Sequence, residues 1–197
     1  MPSRLVILIS GNGSNLQAIL DACADKTLPA SVVAVISNKP DAFGLTRAQN
    51  AGVPAVVFPK SDGESRRDYD SRLAALASTY GPDYVILAGW MRLLTSNFLS
   101  YFPERVINLH PALPGTFPGT HAIERAFEAF QRGEIDRTGV MVHLVPDEGV
   151  DNGPTLATQE IFFQPGETLE LFEARVHVIE HQLLVETLKS EIGNRKS

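Results

Sequence analysis

Residues 4–24 restrict the fold more than any other stretch. A run of branched apolar residues, Leu5-Val6-Ile7-Leu8-Ile9, meets the turn Gly11-Asn12-Gly13-Ser14-Asn15, and an amphipathic pattern follows as far as Ala24. A strand without polar alternation is buried on both faces, and a strand that passes through a tight turn into a helix is half of a crossover unit. Comparable apolar runs at 31–37, 55–58, 84–89, 105–109, 139–145 and 156–163 bring the expected number of strands to seven. Helical patterns cover 14–24, 44–51, 65–80 and 121–132, with a longer one from Thr168 to about Glu191. This alternation predicts an α/β fold of Rossmann-like type, a mostly parallel sheet covered by helices on both faces. Only Pro146 to Pro154 separates the last two strands, too little chain for a crossover, so one late strand runs antiparallel.

With 197 residues and neither a repeat nor a linker, the chain reads as one domain over 1–197, with 193–197 expected to fray. No apolar run approaches the roughly 20 residues of a membrane helix. The N-terminus enters its first strand with no cleavage region, so a cytoplasmic protein with no membrane partner is expected. A net charge of -6 with scattered basic residues argues against a nucleic-acid partner but leaves room for small anions in a local pocket. The single cysteine, Cys23, lies in helical register with Leu16, Ile19 and Leu20, which marks it as a packing residue.

A glycine turn at a helix N-terminus presents backbone N–H groups to an anion. Ser14-Asn15-Leu16-Gln17 also reads as a capping box that starts the helix at Ser14. A dinucleotide fingerprint is missing, because Leu16 stands at the third glycine position and the second strand ends in Ser37-Asn38-Lys39 without an acid. No Lys-Ser or Lys-Thr follows the loop, so a nucleoside triphosphate cradle is also absent. By elimination the loop suits a phosphate monoester such as a sugar phosphate. A second reading, in which the glycines only permit a tight turn, stands beside it.

Asn108 and His110 lie two residues apart at the end of the fifth strand, on one side of it, at the carboxyl edge where open parallel sheets hold ligands. An amide N–H and a protonated imidazole can steady an oxyanion, and the imidazole can also move protons near neutral pH. Asp147, Glu148 and Asp151 follow the sixth strand, and spacing leaves open which of them raises the histidine pKa and keeps imidazolium populated. With no nucleophile elbow and no catalytic thiol, direct attack of a substrate amine on an acyl donor is the simpler scheme.

The stretches "ISGNGSNLQAIL", "SNKPDAFGL", "LAGWMRLL", "NLHPALPGTFPGTHAIERAF", "HLVPDEGVDNGP" and "ARVHVIEH" together resemble the phosphoribosylglycinamide formyltransferase family across nearly the whole chain. The resemblance implies a three-layer formyltransferase fold and transfer of a formyl group from 10-formyltetrahydrofolate, with no metal, to the amine of glycinamide ribonucleotide in purine biosynthesis. It implies small-molecule partners, and a monomer or homodimer. It maps Asn108, His110 and Asp151 onto the catalytic positions and Gly13, Ser14 and Asn15 onto the phosphate loop. Met91, Arg92, Leu93 and Leu94 match the segment whose backbone holds the pterin, and Arg66 a position near the folate. Glu180 matches a contact to the glycinamide portion of the substrate, and Pro111 is expected in the same cleft. The loop "VPDEGVD" is one residue longer than the family pattern, which keeps Asp147 as a weaker candidate for the acid.

Two further signals compete for attention. His177-Val-Ile-Glu180-His181 satisfies a zinc-protease pattern, but Val176, Ile179, Leu183 and Leu184 give the helix an ordinary packing face, so no metal is expected. His143, inside the sixth strand, is either a core histidine or an accessory to His110. Two rival functions stand beside the transferase: a 10-formyltetrahydrofolate hydrolase, and a non-catalytic sugar-phosphate or folate-binding protein. The joint presence of Asn108, His110 and Asp151 counts against the second.

Overall fold

The computed structural model describes residues 1–194. Its elements run β1 (Ser3–Ile9), α1 (Ser14–Ala24), β2 (Ala30–Ser37), α2 (Phe43–Asn50), β3 (Ala55–Val57), α3 (Arg66–Thr79), β4 (Tyr84–Leu87), α4 (Ser96–Leu99), β5 (Val106–His110), α5 (Ala122–Gln131), β6 (Arg137–Leu144), β7 (Thr155–Phe162) and α6 (Leu169–Asn194). The seven strands form one sheet in the order β3-β2-β1-β4-β5-β6-β7. The pairs from β3 through β5 are parallel, and β6 runs against both β5 and β7. This is the expected mixed sheet with a single reversed strand, forced by the short β6–β7 connection.

Side-chain parity along the central strands explains the three layers. Leu5, Ile7 and Ile9 face Leu16 and Ile19 of α1 and Phe172, Val176 and Leu184 of α6. Val6 and Leu8 face the opposite side, against Tyr69, Leu73 and Ala77 of α3 and Phe98 of α4. A strand buried on both faces cannot alternate polar with apolar, which is why β1 reads as an unbroken apolar run. Cys23 is packed against the first of these cores, and burial pushes its thiol up to about 11.

Two local expectations are corrected, and one short element is new. Gly13, in the left-handed region at φ 76°, is the N-cap of α1, and Ser14 is its first helical residue, so no capping box forms and the Ser14 hydroxyl takes no part in capping. The one-turn helix α4 went unforeseen, because four residues carry no period to read. Helix α6 continues through Gly193 and Asn194 instead of fraying there, and the rest of that expectation, 195–197, lies outside the described residues. No helix among the described residues is long and apolar enough to cross a membrane.

The chain moves outward from β1 to β2 and β3, then returns to place β4 on the other side of β1. The carboxyl ends of β1 and β4 therefore flank a topological switch point, where the two following loops diverge and leave a crevice. Ser10 ties the two loops together: its N–H donates to the Gly89 carbonyl at 3.0 Å, and its Oγ accepts the Met91 N–H at 2.9 Å.

Candidate active site

The glycine loop is built by close packing. A Cβ on Gly13 would lie 2.7 Å from the Gly44 Cα, and one on Gly44 would meet Ile9 Cδ1, so the loop and the start of α2 meet backbone to backbone. Arg47 clamps the loop from outside, donating from Nε to the Asn12 carbonyl at 2.9 Å and from Nη2 to Asn12 Oδ1 at 3.0 Å. The N–H groups of Gly13, Ser14 and Asn15 make no hydrogen bond among the described residues, as the first turn of a helix requires. Asn15 Oδ1 is buried there without a partner. Such a turn, with free donors and the positive end of α1, can receive an anion.

Beside it, past β4, lies a cavity of about 420 Å³. One wall is the irregular stretch Gly89–Leu94, and the opposite wall carries Asn108, His110, Pro111, His143 and Asp151. The N–H groups of Arg92, Leu93 and Leu94 have no partner among the described residues, nor has the buried Trp90 Nε1. Met91 and Leu93 are exposed at the mouth, large apolar side chains of the kind that mark a ligand site on a protein surface. A largely apolar slot edged by unused backbone donors fits a flat, polar-edged heterocycle.

Strand register assembles the polar wall. Asn108 on β5 stands opposite His143 on β6, and His110, two residues on, shares the face of Asn108. The Leu144 carbonyl can only accept, so His143 Nδ1 donates to it at 2.8 Å and leaves the Nε2 lone pair for one N–H of Asn108, at 3.1 Å. The other Asn108 N–H goes to Asp151 Oδ1 at 3.0 Å. Asp151 Oδ2 accepts the Gly119 N–H at 2.8 Å and lies 3.3 Å from His110 Nδ1. His110 Nε2 lies 3.1 Å from the Phe117 carbonyl, so acceptors face both ring nitrogens and a neutral ring, with one N–H, can serve only one of them at a time. Asp151 itself sits in the left-handed region at φ 50°, a conformation uncommon for a residue with a side chain and held by these bonds.

The electrostatics correct one expectation. Burial pushes the His110 pKa below the usual 6.5 and outweighs Asp151 and the Phe117 carbonyl, which both favour the proton. His110 is therefore neutral at pH 7 in the free protein, not a standing imidazolium. Burial alone would raise the Asp151 carboxyl, but the neighbouring imidazoles and the Gly119 N–H together hold it below the usual carboxylate range.

The structure brings Asn108, His110, Asp151, Pro111 and Met91–Leu94 around one cavity. Of the three acids, only Asp151 reaches His110. Asp147 lines the cavity but accepts the Gly149 N–H, and Glu148 pairs with Arg66. Arg66 and Glu180, expected at the ligands, do not line this cavity: Arg66 lies at the start of α3, and the Glu180 carboxylate accepts from His177 Nδ1 at 2.7 Å within α6. Sequence reasoning missed the Phe117 carbonyl and the Gly119 N–H. Their only signal was the glycine- and proline-rich "LPGTFPGT", which says that a backbone turns but not which atom it aims.

The sequence profile of the formyl transferase family matches residues 3–188, a span that includes every element of the sheet and both cavity walls. The chain belongs to the formyl transferase family. Within that family it is 45% identical to a phosphoribosylglycinamide formyltransferase of Dictyostelium discoideum, over 96% of this chain and 98% of that one. It is 42% identical to the phosphoribosylglycinamide formyltransferase of Schizosaccharomyces pombe, over the full length of both. Its fold superposes on the crystal structure of glycinamide ribonucleotide transformylase 1 from Symbiobacterium toebii with a TM-score of 0.91 at 39% identity, covering 98% of this chain and 89% of the other.

Proposed function

We infer that this enzyme transfers the formyl group of 10-formyltetrahydrofolate to the amine of glycinamide ribonucleotide in purine biosynthesis. The observation that carries the chemistry is the Asn108–Asp151 hydrogen bond, with His110 Nδ1 3.3 Å from the same carboxylate, on the wall of the switch-point cavity, in a chain of this family. In this reading Met91, Arg92, Leu93 and Leu94 hold the pterin, with Arg66 near its outer end. Gly13, Ser14 and Asn15 hold the ribonucleotide phosphate, and Pro111 and Glu180 border the same substrate. The chain acts as one domain in the cytoplasm, as a monomer or homodimer, with its N-terminal part on the ribonucleotide and its C-terminal part on the folate.

The geometry suggests the order of events. The amine nitrogen attacks the formyl carbon, and the carbonyl π electrons move onto oxygen. Asn108 Nδ2 supplies a donor for that oxyanion by releasing one of the two bonds its N–H groups make to His143 and Asp151, and the substrate takes the place the Phe117 carbonyl fills in the free protein. A second hollow of about 450 Å³, between 114–118 and 150–155, leaves space for that segment to give way. With the Phe117 carbonyl displaced, the one proton of the neutral His110 ring sits on Nδ1 facing Asp151 Oδ2, so the Nε2 lone pair takes the proton the attacking nitrogen releases, and Asp151 stabilises the imidazolium so formed. Delivery of that proton to the folate nitrogen breaks its bond to the formyl carbon and releases tetrahydrofolate.

The test follows deformylation of a 10-formylfolate by absorbance, with and without glycinamide ribonucleotide. Cleavage that requires the amine is the expected result. Cleavage by water alone makes the protein a hydrolase, and binding without turnover makes it a sensor; either outcome overturns the proposal.

A further inference from the structure

The loop that carries Asp151 is fastened at a second point, remote from the reacting groups. Glu148 Oε1 accepts the Ser96 N–H at the start of α4 at 3.0 Å, and its Oε2 lies 3.1 Å from Arg66 Nη2 at the start of α3. Arg67 adds a second positive charge nearby. Ser96 lies two residues beyond the cavity wall 91–94, and the intervening N–H, that of Thr95, is bound at 2.6 Å by the buried Asp70 of α3. Glu148 thus joins the catalytic loop to a rigid point of the pterin wall.

Between Glu148 and Asp151 the loop has little slack. Asp147 Oδ1 accepts the Gly149 N–H at 2.8 Å, and the Asn152 amide fills the space a Gly149 Cβ would need, 2.5 Å from its Nδ2. Gly153 is pressed against the Leu144 carbonyl at the end of β6. A displacement at Glu148 is therefore passed on to Asp151, whose strained backbone relies on its partners.

We propose that Glu148 is a positioning residue, which clamps the 146–153 loop to α3 and α4 and so holds Asp151 against Asn108 and His110. The proposal rests on the catalytic roles assigned above, and it assigns Glu148 no contact with the reacting atoms. Its pair with Arg66 is half-exposed, so the clamp weakens as salt screens it.

The experiment combines a titration with kinetics on the full-length protein. His110 is faced by Asp151, His143 and Arg125, and of these Asp151 alone favours its proton. Glu148→Ala, checked for folding by circular dichroism, is expected to lower the His110 pKa read by NMR by about one unit as the carboxylate retreats. It is also expected to lower kcat about 10–100-fold, the effect of an ångström-scale misplacement. Glu148→Gln keeps an acceptor for the Ser96 N–H but loses the charge facing Arg66, so it falls between the two and loses the salt dependence. A purely structural role would lower the active fraction and leave the titration where it was. An unchanged His110 titration in Glu148→Ala overturns the proposal. A wild-type protein without formyl transfer overturns only the functional reading, because the titration reports loop geometry without turnover.

Discussion

Replacing Asp151 with asparagine removes one charge and almost no volume, and the surrounding bonds say why it is not a mild change. Oδ1 receives an N–H from Asn108, and Oδ2 receives one from Gly119 while facing His110 Nδ1. An amide has one acceptor oxygen and one NH₂. If the NH₂ occupies the Oδ1 position it meets the Asn108 NH₂; if it occupies the Oδ2 position it meets the Gly119 N–H. Turning the Asn108 amide relieves the first clash only by aiming an oxygen at the His143 Nε2 lone pair, because Nδ1 must keep its proton for the Leu144 carbonyl. The turned amide also takes its N–H away from the oxyanion. One buried donor is left unsatisfied in either arrangement, at a cost of about 1–3 kcal/mol of stability. The imidazolium formed in the reaction loses its counter-charge, and exchanging the carboxylate partner of a catalytic histidine in hydrolase triads lowers kcat by on the order of 10⁴. We expect kcat for Asp151→Asn to fall about 10³–10⁴-fold in the ribonucleotide-dependent absorbance assay. A melting temperature within a few degrees of wild type would keep the comparison meaningful. A variant that retains more than about a tenth of the wild-type kcat refutes the reasoning, since under 1.4 kcal/mol cannot represent a lost counter-charge.

Asn108→Ala removes one oxyanion donor and is expected to lower kcat about 10²–10³-fold with little change in the KM of either substrate; a large KM effect with unchanged kcat would assign Asn108 to ground-state binding. The pH profile of kcat/KM is expected to have its acid limb below 6.5, because burial lowers the His110 pKa and the neutral ring must accept the proton. Stability follows the same direction: the unfolded chain binds a proton at this histidine that the folded one resists, so folding is penalised as pH falls below 6.5. The Asp151 contribution, present above its unfolded value, is lost as pH falls through its lower folded value, and a denaturant series across acidic pH reads both. Gly13→Ala forces a side chain into φ 76° and against the Gly44 backbone. We expect it to cost at least about 1–2 kcal/mol of stability and to raise the KM for the ribonucleotide far more than that for the folate, as separate titrations of the two substrates would report.

Much of the architecture was legible in the order of residues because it follows from local periodicity. Leu5 to Ile9 is apolar at every position, and only a central strand covered on both faces accommodates that. Asn108 and His110 share a side of β5 by alternation alone, and the short β6–β7 connection required one reversed strand. Local pattern misled where a small geometric choice decided the outcome. Ser14-x-x-Gln17 has the spacing of a capping box, yet Gly13 took the cap because its left-handed backbone lets α2 approach.

The choice among Asp147, Glu148 and Asp151 was never available from spacing, since all three lie in one turn within reach of the same strand end. Folding brought Gly119 and Asn108 to Asp151, tied Asp147 to Gly149, and drew Glu148 away to Ser96 and Arg66. The sequence by itself determined the sheet, its one reversed strand, the glycine turn into α1 and the amide–imidazole pair, because each depends on neighbours along the chain. Only the tertiary structure decided which carboxylate meets His110 and which charge state that ring keeps. Desolvation and hydrogen-bond geometry are properties of what packs around a group, and those neighbours come from distant parts of the chain.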